Sequence, residues 1–287
     1  MKNLVKSDFY RALKDKVLLI GLIVSVGIMI FTLLVTKGLA LMAENEIEGA
    51  GALIASTGIA AWSNGVSVMG NTAQMIAPIF ITIFFVKEFN DRTIRNKLII
   101  GYSRSQIFFS IIICHLVISF VFLFATSLVG LLLGTLLFGL GATFTGDLFL
   151  LLLVGFLLQF ILSYVLMGFC IIFSINKQSI ALGIVLPIAI GFIISILGSV
   201  AIMGVSEGFT KVMSFTNFYQ SMELQQFVST EQLVIQNTIE FTNEIGETTK
   251  IIYIPMVPIA RILIFSPIII AVEFILGYLS FKKIQFK

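Results

Sequence analysis

The chain has 287 residues, 58% hydrophobic and only 11% charged, against about 45–50% apolar and about 25% charged in soluble domains. With a mean hydropathy of +1.08 there is too little polar surface to cover a water-facing particle. Composition therefore excludes a soluble globular domain, a disordered chain and a disulfide scaffold, and a net charge of +3 matters chiefly through the loops that carry it.

Residues 1–16 place Leu4, Val5, Phe9, Ala12 and Leu13 on one helical face against Lys2, Lys6, Lys14 and Asp15. That spacing predicts an amphipathic helix lying in the membrane interface. A spanning helix needs roughly 20 apolar residues, and the chain offers six such stretches, at 17–36, 66–86, 107–138, 148–173, 180–203 and 259–281. The first, an uncharged run of 20 residues, exceeds the apolar core of about 7–15 residues in a secretory signal and reads as a span. The Gly-, Ala- and Ser-rich stretch Gly49–Asn64 reads as an external loop or a short interfacial piece before the second span. Gly139–Asp147 (GLGATFTGD) and Ser174–Ser179 (SINKQS) separate the third, fourth and fifth spans.

Residues 205–258 are too many for an ordinary connection. Their first half carries Phe209, Met213, Phe215, Phe218, Tyr219, Met222 and Phe227, which suits the outer interface. The second half alternates like strands at 237–242 and 250–254 around the turn-like Asn243–Thr249, predicting a small β-hairpin.

Lys and Arg near span ends are retained on the cytoplasmic side. With both termini inside, fourteen of the eighteen basic residues lie inside and only Lys37, Lys211, Lys250 and Arg261 outside, beside ten of the fifteen acidic residues. The expected fold is thus an all-α polytopic membrane protein with an N-terminal interfacial helix and six transmembrane helices. Both termini are cytoplasmic, and a small extracellular insertion lies between spans 5 and 6. Cys114 and Cys170 lie inside apolar runs and read as small buried hydrophobes.

The sequence has no G-x-x-x-x-G-K-[ST] loop, Gly141 and Gly146 being followed by Asp147. It also lacks H-E-x-x-H, metal-spaced cysteines and a G-x-S-x-G elbow. No catalytic residue, cofactor or metal site is expected, and no nucleic acid. A polytopic protein without a motor offers its cytosolic loops as the surface an energising subunit can push on, and residues 87–106 (KEFNDRTIRNKLIIGYSRSQ) form one long enough for a short helix.

That loop resembles the inner loop of type-2 ABC transporter permeases, the exporter-type family, through Glu88, Thr93, Ile94, Lys97, Leu98, Ser103, Arg104 and Ile107. The run Thr93–Arg104 is similar to small permeases of Gram-positive bacteria that export, or confer immunity to, peptide antibiotics. Arg92 stands where the family often has Gly, and Gly101 where it often has Pro. The resemblance implies a bacterial plasma-membrane permease embedded in lipid, paired with a second copy or a related permease. Two cytoplasmic ABC ATPase subunits would carry the ATP and Mg. It also implies outward movement of a hydrophobic or amphipathic cargo, peptide before lipid or drug. Carried over, Glu88, Arg92, Thr93, Arg95 and Arg104 are the expected ATPase-coupling residues, with the N-terminal helix as a second contact.

Within the spans, Glu273 lies nine residues before Lys282, about 13 Å from the boundary at 1.5 Å per residue, and His115 lies nine residues beyond Gln106. Intramembrane ionisable groups are functional candidates by default, so the two are expected to approach each other across spans 3 and 6, each otherwise bonding locally. Thr126, Gly130 and Gly134 form a small-residue stripe suited to close helix packing. Pro78 and Pro187 are candidate kinks, and Asn71, Gln74 and Gln159 candidate polar contacts. Two alternatives stay open: an ion-coupled secondary transporter built on Glu273 and His115, and a non-transporting membrane immunity or binding protein that uses these residues or the 205–258 segment.

Overall fold

The computed structural model describes residues 1–46, 57–67, 76–91, 93–141, 146–177, 180–202, 207–230, 238–242, 248–252 and 258–283. Helix α1 (Lys2–Lys14) stops at Asp15, whose backbone is extended and whose Oδ1 accepts the Val17 N–H at 2.7 Å, so one residue ends one helix and caps the next. Helix α2 (Lys16–Glu46) has 31 residues, about 46 Å at 1.5 Å per residue, longer than the ~30 Å hydrocarbon core. It runs past the expected end at Thr36 because nothing from Lys37 to Glu46 is Pro or a turn pair, and Lys37 settles over the Phe138 ring, 5.3 Å from its centre.

The largest departure from expectation lies at residues 58–66. These form α3 (Gly58–Val66), a helix packed inside the protein, where an external or interfacial piece was expected. Thr57 caps it by accepting the Ala60 N–H at 3.1 Å, and its first two free N–H groups, of Gly58 and Ile59, donate to the carbonyls of Gly139 and Leu140. Val66 therefore ends one helix, and α4 (Ile76–Asn90) begins ten residues later, so among the described residues the second span is not one continuous helix over 66–86. Pro78 is the third residue of α4 as described, in the first turn, where a proline is tolerated, and residues 68–75 before it lie outside the described residues.

Next come α5 (Thr93–Ile99), α6 (Arg104–Phe138), α7 (Gly146–Lys177) and α8 (Ile180–Ile202). The short helices α9 (Glu207–Met213) and α10 (Asn217–Thr230) fold back as a pair onto α7 and α8. The first half of the 205–258 segment is therefore partly built into the bundle, with Met213, Phe218, Tyr219 and Leu224 buried. Strands β1 (Thr238–Thr242) and β2 (Thr248–Ile252) pair antiparallel from Thr238↔Ile252 to Thr242↔Thr248. The last helix is α11 (Pro258–Lys283).

Four described helices are long and apolar enough to cross a membrane, Lys16–Asn45, Arg104–Phe138, Leu148–Ser174 and Ile259–Lys283. Helix α6 is central, touching α1, α2, α3, α4, α5, α7 and α11. Around it Phe84, Phe85, Phe108, Phe156 and Phe281 are fully buried. By contrast α2 and α11 turn large apolar side chains outward, among them Ile23, Phe31, Ile264, Ile268 and Leu276, as lipid-facing helices do.

Candidate functional site

At one end of the bundle four charged side chains meet. Asp8 and Arg11 come from α1, Glu88 from the last turns of α4, and Lys97 from α5. Lys97 Nζ lies 2.7 Å from Asp8 Oδ1 and 2.9 Å from Glu88 Oε2, while an Arg11 guanidinium nitrogen lies 3.1 Å from Glu88 Oε1. From α6 the Ser110 hydroxyl donates to Asp8 Oδ2 at 2.6 Å. Asp8 and Glu88 are essentially inaccessible and Lys97 is buried. Two anions against two cations cancel, as buried charge requires. Burial pushes the Glu88 carboxyl above its ordinary value, and Lys97 and Arg11 pull it back down.

The α1 face that packs differs from the one expected. Leu4, Asp8 and Ala12 point inward at i, i+4, i+8, whereas Leu13 is 86% exposed. Sequence reasoning missed Asp8 and Lys97 as partners of Glu88. The signal was an acidic residue one helical turn from both Leu4 and Ala12, on a stripe otherwise apolar.

A rigid joint links α5 to α6. The Gly101 N–H donates to the Leu98 carbonyl and the Tyr102 N–H to the Lys97 carbonyl, with Gly101 at φ +104°. This is the paired closure of a helix C-terminus in which the residue at positive φ is normally Gly. Two residues later Ser103 and Gln106 form a reciprocal capping box that starts α6. Arg104 reaches across to the carbonyl of Lys282, fastening the end of α11 to the same joint.

Of the five expected coupling residues, Glu88 belongs to the interior. Thr93 is half-buried at the start of α5, and Arg104 is half-buried against α11. Arg95 is exposed, and Arg92 lies outside the described residues. The outer face of α5 and its end carries Arg95 and Asn96 beside Ile99 and Ile100, each of the last two 73% exposed. Two adjacent isoleucines standing clear of the core of so short an element form a ready contact surface, and sequence reasoning passed over them.

Deeper in the bundle, His115 and Glu273 are both buried, yet no bond joins them. His115 Nδ1 is 3.1 Å from the Tyr164 hydroxyl. Tyr164 packs on Phe274, next to Glu273, and Gly168, one turn along α7, makes room for the Glu273 carboxylate. Neither Glu273 oxygen, nor His115 Nε2, has a hydrogen-bond partner among the described residues. No hydrogen bond joins the two directly, and α7 supplies a neighbour to each, Tyr164 to His115 and Gly168 to Glu273.

The stripe on α6 carries α3. A Cβ on Gly130 would lie 2.5 Å from the Ala61 carbonyl oxygen, one on Gly134 2.6 Å from Ala61 Cβ, and one on Gly65 2.4 Å from Ser127 Cα. Thr126 donates its hydroxyl toward the Gly65 carbonyl at 2.7 Å. Trp62 anchors the other side, its indole N–H on the Leu152 carbonyl at 3.0 Å. Gln159 is buried and donates to Ser221 of α10. Asn71 and Gln74 lie outside the described residues.

A family model described as ABC-2 family transporter protein matches residues 4–198, which takes in the charged cluster, α5 and its joint, the stripe and most of α8. The chain belongs to the ABC-2 family of transporter proteins. It is accordingly a membrane transport subunit of an ABC transporter, and an ABC ATPase is the partner that such an ABC-2 permease implies. No curated protein matches the chain, and no solved structure does.

Proposed function

We propose that this ABC-2 permease is the membrane half of an ATP-driven exporter, and that separate ATPase subunits act on it through the outer face of α5. The observation that carries this reading is the way α5 is held. Lys97 ties it to α1 and α4 through Asp8 and Glu88, and the Gly101–Ser103 joint ties it to α6. An element so fastened cannot move alone, so a displacement applied at Ile99 and Ile100 is passed to α1 and α6 together. ATP-driven closure of the motors would then favour one arrangement of the spans over another by differential contact at that surface. Arg95 and Thr93 are the remaining expected coupling residues that fit it, whereas Glu88 and Arg104 serve by positioning α5 and α11.

In this reading two permease subunits, identical or related, work with two ATPases, both chain termini face the cytoplasm, and six spans surround the path. The cargo is hydrophobic or amphipathic, and the resemblance of Thr93–Arg104 favours a peptide. The test is to purify the tagged chain from its own membranes in mild detergent and identify what accompanies it. An ATPase subunit is expected to co-purify and to be lost on Ile99→Asp with Ile100→Asp, two exposed changes that spare folding. Retention of the ATPase by that variant and by Arg95→Glu would remove α5 as the coupling surface.

A further inference from the structure

Helix α1 is held at a definite depth. Asp8 accepts the Ser110 hydroxyl, and Ser110 follows Arg104, the first residue of α6, by six positions, about 9 Å from that end of the span at 1.5 Å per residue. Interfacial helices sink about 5–10 Å into the boundary between headgroups and acyl chains, so α1 sits at the level of that boundary. Its rotation is fixed as well, because Asp8 and Arg11 are bound to Lys97 and Glu88. With Leu4, Asp8 and Ala12 turned inward, Lys2, Lys6, Phe9 and Leu13 share a second face at i, i+4, i+7 and i+11. Phe9 packs partly against the core, while Leu13 stands clear of it in line with the two lysines.

The charge on that face is uncompensated. Asp8 is spent on Lys97 and Ser110, and Asp15 on the Val17 N–H, with Lys87 3.7 Å away. Lys14 settles over the Tyr10 ring. Among the described residues no carboxylate lies within ion-pair distance of Lys2 or Lys6. An exposed leucine in line with two such lysines fits a lipid leaflet, the leucine among acyl chains and the long lysine stems carrying their ammonium groups up to the headgroups.

We infer that this face of α1 binds anionic phospholipid, with Lys2 and Lys6 on the headgroup phosphates and Leu13 in the acyl region beneath them. A zwitterionic headgroup carries its own ammonium beside the phosphate and is the weaker partner. The inference concerns one subunit in its leaflet and does not depend on the ATPase reading.

The test uses the full-length chain reconstituted without any ATPase in phosphatidylcholine vesicles. Leu13→Cys carries a small fluorophore, while the buried Cys114 and Cys170 stay unlabelled. Nitroxide-bearing phosphatidylglycerol or nitroxide-bearing phosphatidylcholine is included at the same small mole fraction. The anionic quencher is expected to act about tenfold more strongly than the zwitterionic one, the combined effect of two lysines at an anionic surface. Lys6→Gln should cut that preference by about threefold to fivefold, and Lys2→Gln with Lys6→Gln should bring it close to one. Both positions are exposed, so these changes spare folding. A label at Ile264→Cys, toward the other end of α11, should show no preference. Equal quenching by the two lipids at Leu13→Cys, the same preference at Ile264→Cys, or a preference unaltered in the double lysine variant would each overturn the inference. Equal quenching together with loss of the ATPase from the native complex in that double variant would give this face to the protein partner instead.

Discussion

Lys97 Nζ stands 2.7 Å from Asp8 Oδ1, although the two residues come from helices separated in sequence by the whole of α2, α3 and α4. One ammonium, shared with Glu88 at 2.9 Å, thereby joins the first helix of the chain to the element proposed to receive the motor. Lys97→Met leaves Asp8 and Glu88 with Arg11 as the one remaining cation of the cluster. Removing one partner from a buried ionic group costs about 3–5 kcal/mol. We expect a clearly lowered midpoint in thermal unfolding, followed by the fluorescence of Trp62, the single tryptophan. Glu88→Gln added to Lys97→Met should recover part of the loss, because it removes an anion left without its cation. Equal midpoints for Lys97→Met and the unaltered chain would mean that the cluster is not held as described.

The stripe on α6 makes a sharper comparison, because two glycines of the same bundle should answer oppositely to one change. Gly130→Ala sets a Cβ 2.5 Å from the backbone oxygen of Ala61, which can yield only if α3 moves, at a cost of about 1–3 kcal/mol. Gly27 on α2 has nothing within 4 Å of the same added carbon, so Gly27→Ala should stabilise by about 0.5–1 kcal/mol through the helical preference for Ala. Thermal midpoints of the two variants should fall on opposite sides of the parent. A Gly130→Ala protein as stable as the parent would show that α3 does not rest on α6.

What could be read from the sequence follows the physics of each element. Long uncharged runs announce α2, α6, α7, α8 and α11 because twenty apolar residues have no other stable place. The joint between α5 and α6 was equally open to reading, since Gly101, Ser103 and Gln106 carry local backbone chemistry. Helix α3 was hidden because Gly58–Val66, rich in small residues, looks like a loop until Gly130 and Gly134 supply the groove it fills. The charged cluster was hidden for a related reason. Lys97 and Asp8 look like ordinary basic-loop and tail residues, and only the packing of α1 on α6 brings them together. Polar pairings across distant elements are tertiary facts that no window of sequence contains.

Glu223 on α10 makes the insertion sensitive to pH. Burial pushes its carboxyl up to about 7, more strongly than Arg261 draws it down. A carboxyl raised in the folded state contributes stability that is fully present below its ordinary value near 4.5 and is lost as pH rises through about 7. Unfolding stability should therefore fall between about pH 5 and pH 8, by no more than a few kcal/mol in total, and the thermal midpoint should fall with it. Glu223→Gln should flatten that slope and leave the protein more stable than the parent at the alkaline end. A slope unaltered in Glu223→Gln would assign the dependence to another group.

Glu273 and Gly168 test whether the intramembrane carboxylate sits where the structure puts it. A Cβ on Gly168 would lie 2.4 Å from Glu273 Oε2, the far end of a flexible side chain that must turn aside to admit it. Gly168→Ala should therefore cost about 1 kcal/mol, the low end of the range for overpacking. The same change made in Glu273→Ala should cost almost nothing, because the obstructing atoms are gone. In Glu273→Gln, which keeps the shape and removes the charge, the full penalty should return. Glu273→Gln alone should be neutral or mildly stabilising, since an unpartnered carboxylate inside a membrane span is costly in its charged form. The parent, Gly168→Ala, Glu273→Ala and the two together form a double-mutant cycle of four thermal midpoints, and a coupling near zero between the two changes would separate α7 from α11 at this level.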